Sequence, residues 1–122
     1  MFILYVADQA VSAAFYRRVL AAEPVLDVPG MTAFALPGGA QLGLMPEAGI
    51  ERLLPGLRAT GAQHSRAEVY LWVPDPAAWH QRAVDAGAFE LSPLAPRGWG
   101  DRAAYSRDPD GHVLAFAEPL KG

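Results

Sequence analysis

The chain has 122 residues, of which 52% are hydrophobic and 19% charged, a composition typical of a globular domain with its own core. It has no cysteine, which excludes disulfides, cysteine nucleophiles and thiolate metal sites. The formal net charge of −3 argues against nucleic acid as the main partner, because phosphate binding needs a basic face. No long uncharged apolar run predicts a membrane span and no basic leader precedes the first strand, so we expect a cytoplasmic protein.

The first half of the chain predicts one helix and four strands. Asp8 is the expected N-cap of a helix over Gln9–Leu20, in which Val11, Phe15 and Val19 form an apolar stripe. The strands are bounded by Pro and Gly turn signals and are predicted at Phe2–Val6, Val25–Val28, Met31–Leu36 and Ala40–Met45. The irregular segment 46–67 is expected to be a linker, with a short helix at Ile50–Leu54.

The second half repeats this order. Asp75 is the expected cap of a helix over Ala77–Ala86, Pro76 takes its first position, and Gly87 ends it. Pro93–Gly98 is expected to be a loop, because it contains two prolines. The strands around these segments are predicted at Glu68–Val73, Phe89–Leu91, Trp99–Arg107 and His112–Glu118.

The two halves align as an internal repeat. The caps Asp8 and Asp75 lie 67 residues apart, and the hairpin glycines Gly39 and Gly111 lie 72 apart. Such a unit cannot bury its sheet alone, so two copies should pack together. We predict an α+β fold: one domain over 1–122, made of module 1 (1–45), the linker (46–67) and module 2 (68–119). The alternative is one unduplicated α+β sheet with coincidental symmetry.

Three blocks carry a family resemblance, and together they span nearly the whole chain: YVADQAVSAAFYRRVLAAEP, EVYLWVPDPAAWHQRAVDAGA and GWGDRAAYSRDPDGHVLAFAEP. They resemble the vicinal oxygen chelate superfamily of glyoxalases, bleomycin-resistance proteins and extradiol dioxygenases, and are closest in pattern to its small bleomycin-resistance-like members. Ala21 stands where that family usually has glycine. The resemblance implies two βαβββ modules forming curved mixed sheets around a cavity, generally in a homodimer. It does not fix a reaction, because the fold hosts many.

The resemblance also implies where a metal would bind. The family's ligand positions correspond here to Met1, Glu68, Gly43 and Ala115, and only Glu68 offers a suitable donor. We therefore predict no metal at this position and no cofactor. A site formed by His64 and Glu68 is the alternative.

Strand alternation predicts which side chains line the cavity. Glu68, Tyr70 and Trp72 should share one face, as should Met1, Ile3 and Tyr5. Gly43 and Ala115 should leave room in the middle. Such a lining suits a flat or bulky organic ligand, with Glu68 selecting a cation or a hydrogen-bond donor. The alternative is that the aromatic residues fill the core and Glu68 pairs with an arginine such as Arg102. The residues of the opposite faces should pack on the helices: Val69, Leu71, Val73, Leu42, Leu44, Leu114 and Phe116.

Trp99 follows a Pro/Gly loop, in a place where the family's drug-binding members hold ligands against aromatic rings; the alternative is that it covers the end of the barrel. Either Arg102 or Tyr105 should also point inward. No serine suggests a catalytic triad, His80 is expected to be exposed on its helix, and His112 is expected to bond locally. The ligand-binding candidates are therefore Glu68, Tyr70, Trp72, Tyr5, Trp99, Arg102 and Tyr105.

Three functional hypotheses follow. The first is a metal-independent small-molecule-binding protein for an aromatic or bulky organic ligand, with drug sequestration as one role. The second is a lyase or isomerase in which burial tunes Glu68 as the acid or base. The third is a protein-interaction module whose cavity is filled. The expected partners are a small organic ligand and a second copy of the chain, with neither nucleic acid nor membrane.

Overall fold

The computed structural model describes residues 1–55 and 67–121. The chain divides into two compact units, Met1–His64 and Ser65–Gly122. Each unit carries a four-stranded mixed sheet, and the described residues together hold eight strands and three helices. The predicted α+β class and the two βαβββ modules are therefore confirmed. Among the helices of the described ranges, none is long and apolar enough to cross a membrane.

Unit 1 follows the predicted order of elements. Its elements are β1 (Phe2–Val6), α1 (Gln9–Leu20), β2 (Leu26–Val28), β3 (Met31–Ala35), β4 (Gln41–Pro46) and α2 (Glu47–Leu53). Its strands run in the order β1-β4-β3-β2; β1 and β4 are parallel and the other pairs antiparallel. The helix α2 begins three residues before the predicted Ile50–Leu54 and buries Ile50. Residues 56–66 of the predicted linker, including His64, lie outside the described residues.

The helix α1 has the predicted ends. The Asp8 carboxylate accepts a 3.0 Å hydrogen bond from the Val11 backbone N–H. Ala21 ends the helix in the left-handed conformation with φ of 51°, which glycine adopts at lower cost. The predicted stripe is wrong at Val11, which is 57% exposed, whereas Phe15 and Val19 are buried. Val11 lies on the first turn of the helix.

Unit 2 repeats the topology. Its elements are β5 (Glu68–Trp72), α3 (Pro76–Asp85), β6 (Phe89–Pro96), β7 (Asp101–Arg107) and β8 (Val113–Pro119). Its strands run in the order β5-β8-β7-β6. The predicted cap is confirmed, because the Asp75 carboxylate accepts a 3.3 Å bond from the Ala78 N–H. Asp75 itself is left-handed, with φ of 58°. Helix α3 begins and ends one residue before the predicted range, and Gly87 follows its C-cap, Ala86.

The predicted loop over Pro93–Gly98 is wrong for its first four residues, because β6 continues through Pro96. β6 is the outer strand of its sheet and its pairing with β7 is irregular at Ser92. Prolines are tolerated in outer strands and at bulges, since their missing N–H need not join the ladder. Trp99 lies in the turn before β7 rather than at the start of that strand.

The repeat extends to strand register. Phe2 pairs with Leu42 in unit 1, and the equivalent pair in unit 2 is Val69 with Leu114. The turn bonds repeat as well: Gly39 N–H donates to the Leu36 carbonyl at 3.2 Å, and Gly111 N–H donates to the Asp108 carbonyl at 3.0 Å. The offsets predicted from the sequence therefore apply to individual hydrogen bonds, so the duplication is confirmed.

The face of each sheet predicted to pack on helices is buried. In unit 2, the Trp79 ring of α3 lies 5.8 Å from the Phe116 ring of β8. In unit 1, the Tyr16 ring of α1 lies 6.4 Å from the Phe34 ring of β3. The residues predicted for these faces include several that are almost fully buried: Leu42, Leu44, Leu71, Val73, Leu114 and Phe116.

His80 corrects another expectation, because it is 7% exposed rather than open to solvent. Its Nε2 lies 2.8 Å from Glu90 Oε2 of β6, so the ring is held between the helix and the outer strand. The prediction that His80 is exposed considered only its position in the helix. In the structure β6 runs alongside α3 and covers the His80 ring.

Candidate functional site

The candidate site lies on the sheet face of unit 2 that points away from α3. Along β5, Glu68 and Trp72 are exposed and Tyr70 is half-buried, whereas the intervening Leu71 is buried. The alternation predicted from the sequence is therefore the one observed. Trp72 lies on β5 at the edge of the sheet and exposes 62% of its surface, which is unusual for so large an aromatic residue.

Strand β7 adds Asp101 and Tyr105 to this face. Tyr70 and Tyr105 both pair with Ala115 of β8, from opposite sides, so the two tyrosines occupy one row across the sheet. Arg102 lies on the opposite face, where its Nη1 is 3.5 Å from Glu118 Oε1. Of the two alternatives, Tyr105 is thus on the site face, and Arg102 is not brought to it.

Four side chains of this face form one hydrogen-bond network. Trp99 Nε1 donates to the Tyr70 hydroxyl oxygen at 2.9 Å. The Tyr70 hydroxyl donates to Asp101 Oδ2 at 2.6 Å, and Trp72 Nε1 donates to the same oxygen at 3.0 Å. An indole N–H can only donate, so the bond from Trp99 commits the Tyr70 proton to Asp101. We call Tyr70, Trp72, Trp99 and Asp101 the aromatic–acid cluster.

Sequence reasoning missed Asp101, although a signal was present. Asp101 precedes Tyr105 by four residues in one strand, so alternation places both on the same face. Asp101 is 8% exposed, and its carboxylate is the acceptor that aligns two side chains from β5.

A tight turn presents Trp99 to the cluster. The Arg97 N–H donates to the Asp101 carbonyl at 2.7 Å, and the Gly100 N–H donates to the Arg97 carbonyl at 3.3 Å. Gly100 has φ of 97°, a backbone conformation that residues other than glycine rarely adopt. Trp99 itself is 61% exposed, so its single bond to Tyr70 fixes the ring edge and leaves the ring accessible.

Arg97 also supports Tyr105. Its guanidinium donates to Ser92 Oγ at 2.9 Å, the Pro93 carbonyl at 2.9 Å and the Ala103 carbonyl at 2.8 Å. Its Cζ lies 5.2 Å from the centre of the Tyr105 ring, which is within range of a cation–π contact. Burial and the negative charge of Glu68 raise the pKa of Tyr105, and the Arg97 charge partly opposes them. Burial, followed by the bond to Asp101, raises the pKa of Tyr70.

The room expected at the small residues is not found at Gly43. A Cβ placed on Gly43 would lie 3.1 Å from Ile3 Cγ1 and Met1 Sδ and 3.2 Å from Met31 Sδ. These side chains therefore occupy the space above Gly43, which was predicted to be open. Ala115 has no exposed surface either. Tyr5 belongs to unit 1, where it is half-buried on β1 beside Met45.

The residues at the family's metal positions do not fit a metal. Glycine and alanine have no donor, and the thioether of Met1 is a poor ligand for hard divalent ions. The crowding of Gly43 by Met1 and Met31 also leaves no space for an ion at that point of unit 1. Within residues 1–55 and 67–121, no group of three or more His, Asp or Glu side chains is arranged to hold a metal.

A concavity lies in unit 1, between α1 and the β2–β3 hairpin. Its volume is about 370 Å³, and its lining includes Gln9, Arg17, Asp27 and Thr32. These groups are bound to one another or to the hairpin: Arg17 pairs with Asp27 at 3.1 Å, and Gln9 donates to Thr32 Oγ1 at 2.9 Å. Their hydrogen bonds hold the hairpin on the helix.

The fold defines a class of protein with paired βαβββ modules, and solved structures share it. One is a glyoxalase/bleomycin resistance protein/dioxygenase family enzyme from Burkholderia phytofirmans PsJN. It has a TM-score of 0.85 and 15% identity, and the match covers 97% of this chain and 95% of that chain. Another is a glyoxalase-related enzyme from Fulvimarina pelagi, with a TM-score of 0.82, 24% identity, and coverage of 96% and 84%. At these identities the likeness concerns the fold alone.

The model of the Glyoxalase/Bleomycin resistance protein/Dioxygenase superfamily matches residues 1–116, so the chain belongs to that superfamily. An uncharacterized protein of Mycobacterium bovis is 38% identical over 53 residues, which is 43% of this chain. The match covers 35% of that protein, and the chain therefore spans about a third of the length of this curated relative.

Proposed function

We propose that the protein binds an aromatic or bulky organic small molecule at the aromatic–acid cluster, without a metal, and that sequestration of a drug or natural product is its role. The observation that carries the proposal is the orientation of Trp72 and Trp99. Each ring directs its N–H into the network and is more than half exposed. An exposed indole with a fixed edge is a stacking surface that loses little conformational freedom when a ligand binds.

The packing of the cluster supports this use. The Tyr70 and Trp72 rings lie 5.1 Å apart in an edge-to-face arrangement, so each ring stiffens the other. A ring that merely filled the core would be covered by neighbouring side chains. Trp79 of the same unit is covered further than Trp72 and Trp99: it is half-buried on the helix side against Phe116, with Arg82 over its ring.

The proposal that binding needs no metal depends on which donor atoms stand at the family's four ligand positions. Glu68 is the one carboxylate among the four family positions, and a single carboxylate does not hold a catalytic ion. We further propose a homodimer in the cytoplasm, with no nucleic-acid partner, in keeping with the net charge of −3.

The enzymatic alternative requires burial of Glu68, because burial is what would adapt that carboxyl for proton transfer at neutral pH. Glu68 is exposed at the start of β5, so no observation favours this alternative over binding.

The test is a binding screen with planar heteroaromatic compounds, beginning with quinoline, read by calorimetry. Trp72→Ala and Trp99→Ala should each weaken binding about tenfold or more, since aromatic stacking contributes about 1–3 kcal/mol per ring. Trp79→Phe is the matched control and should leave the affinity within twofold. Equal losses in all three variants, or ordered Zn²⁺ or Mn²⁺ at Glu68 in crystals soaked at neutral pH, would count against the proposal.

A further inference from the structure

The aromatic–acid cluster carries a negative charge that the described residues do not neutralise. Asp101 is 8% exposed and accepts hydrogen bonds from two uncharged donors, Tyr70 and Trp72. None of the ion pairs within the described ranges includes it. Buried carboxylates are normally paired with a positive group, because removing an ion from water is costly. We infer that the ligand supplies this charge: it is a planar organic cation, and Asp101 selects it. The inference rests on the proposed function.

The geometry of Asp101 leaves one oxygen for a ligand. Both network bonds end on Oδ2, at 2.6 Å and 3.0 Å. No hydrogen bond from elsewhere in the described part of the chain ends on Oδ1. A carboxylate has about four acceptor positions on its two oxygens, so the network uses only part of its capacity. Oδ1 can therefore accept a bond from a charged N–H or lie against a quaternary nitrogen.

The rings that surround Asp101 favour the same ligand class. Each indole turns its positive N–H edge toward an acceptor of the network, and the electron-rich ring faces attract cations. Glu68 lies on the same face two residues before Tyr70 and adds a second negative charge. A planar cation would gain stacking from the rings and attraction from both carboxylates.

The neighbouring arginines do not take the place of such a ligand. The Arg97 guanidinium donates to the Ser92, Pro93 and Ala103 oxygens, and Arg102 lies on the other face of the sheet beside Glu118. Arg107 lies on the site face at the opposite end of β7 from Asp101, where its guanidinium lies over the Phe89 ring. A metal ion is a poor occupant, because Asp101 has no second and third ligand around it among the described residues.

The experiment compares two probes with the same fused ring system, N-methylquinolinium and quinoline, at neutral pH, where quinoline is uncharged. Binding is measured by calorimetry and by the indole N–H signals of Trp72 and Trp99, with the Trp79 signal as an internal control. We expect the wild type to prefer the cation at least tenfold. Asp101→Asn keeps an oxygen for the two donors and removes the charge. This variant should reduce the preference to about twofold or less. Glu118→Gln, on the opposite face, is the matched control and should keep the full preference.

The outcomes separate this inference from the function on which it rests. If the wild type binds both probes equally, or if Asp101→Asn keeps the tenfold preference with intact indole signals, the inference is overturned and small-molecule binding stands. If neither probe shifts the Trp72 and Trp99 signals, the inference and the proposed binding site are both overturned for this ligand class. If Asp101→Asn fails to fold, Asp101→Ser with restored folding must lose the preference, and retention of it contradicts the inference.

Discussion

Replacement of Tyr70 by Phe tests the network most sharply, because one hydroxyl carries two of its three bonds. The change removes the 2.6 Å bond to Asp101 and the acceptor of the Trp99 N–H, and leaves the ring packed against Trp72. A hydrogen bond to a charged group contributes about 1.5–3 kcal/mol, and a neutral bond at an exposed indole contributes about 0.5 kcal/mol. Because Tyr70 is half-buried and water can replace part of the loss, we expect a destabilisation of about 1–2 kcal/mol.

The assay is urea unfolding together with the indole N–H spectrum. Tyr70→Phe should lower the unfolding midpoint and move the Trp99 signal toward the position of a solvated indole. The control is Tyr105→Phe, on the same face, whose hydroxyl takes no part in the network; it should change stability by less than about 0.5 kcal/mol. Equal stability losses in both variants, or an unmoved Trp99 signal in Tyr70→Phe, would refute the reasoning.

The remaining predictions concern pH, helix capping and the crowded glycine. The pKa of Tyr70 is raised in the folded state, so its contribution to stability is complete below about pH 10 and is lost as pH rises through the folded pKa; unfolding at high pH should show this loss, and Tyr70→Phe should reduce it. Asp75→Ala should lower the free energy of unfolding by about 1.5–2.5 kcal/mol, because it removes the cap and places alanine in a left-handed backbone conformation that Asp tolerates better. Asp8→Ala should cost about 1 kcal/mol, because its backbone is extended and only the cap is lost. Equal losses in the two variants would contradict the backbone argument. Gly43→Ala should cost about 1 kcal/mol by thermal unfolding, and its control Gly49→Ala, in helix α2 with ordinary contacts, should gain about 0.5 kcal/mol; a stabilised Gly43→Ala would show open space there.

Most of the fold could be predicted because local signals agreed with the tertiary structure. Helix α1 begins at Gln9 and ends at Leu20 as its cap and the following Pro24 indicate. The predictions failed where packing between elements determines the extent of a strand. β6 extends through Pro96 because it is an outer strand that tolerates proline, and a single sequence does not show which strand is outermost.

The site was predictable in part. Alternation along β5 placed Tyr70 and Trp72 on one face, which required only the strand period. Asp101 was missed because its role depends on hydrogen bonds to side chains of another strand. The crowding at Gly43 was missed because it arises from Met1 and from side chains of both strands that pair with β4, Ile3 of β1 and Met31 of β3. Side-chain contacts of this kind require coordinates.

The central claim is that the exposed rings of the aromatic–acid cluster hold an organic ligand. Its most direct test is a crystal structure of the protein soaked with N-methylquinolinium. The account predicts density for the probe stacked on the Trp72 or Trp99 ring, with its charged nitrogen beside Asp101. Probe density confined to the groove of unit 1 between α1 and the β2–β3 hairpin, with both indoles uncovered, would contradict it.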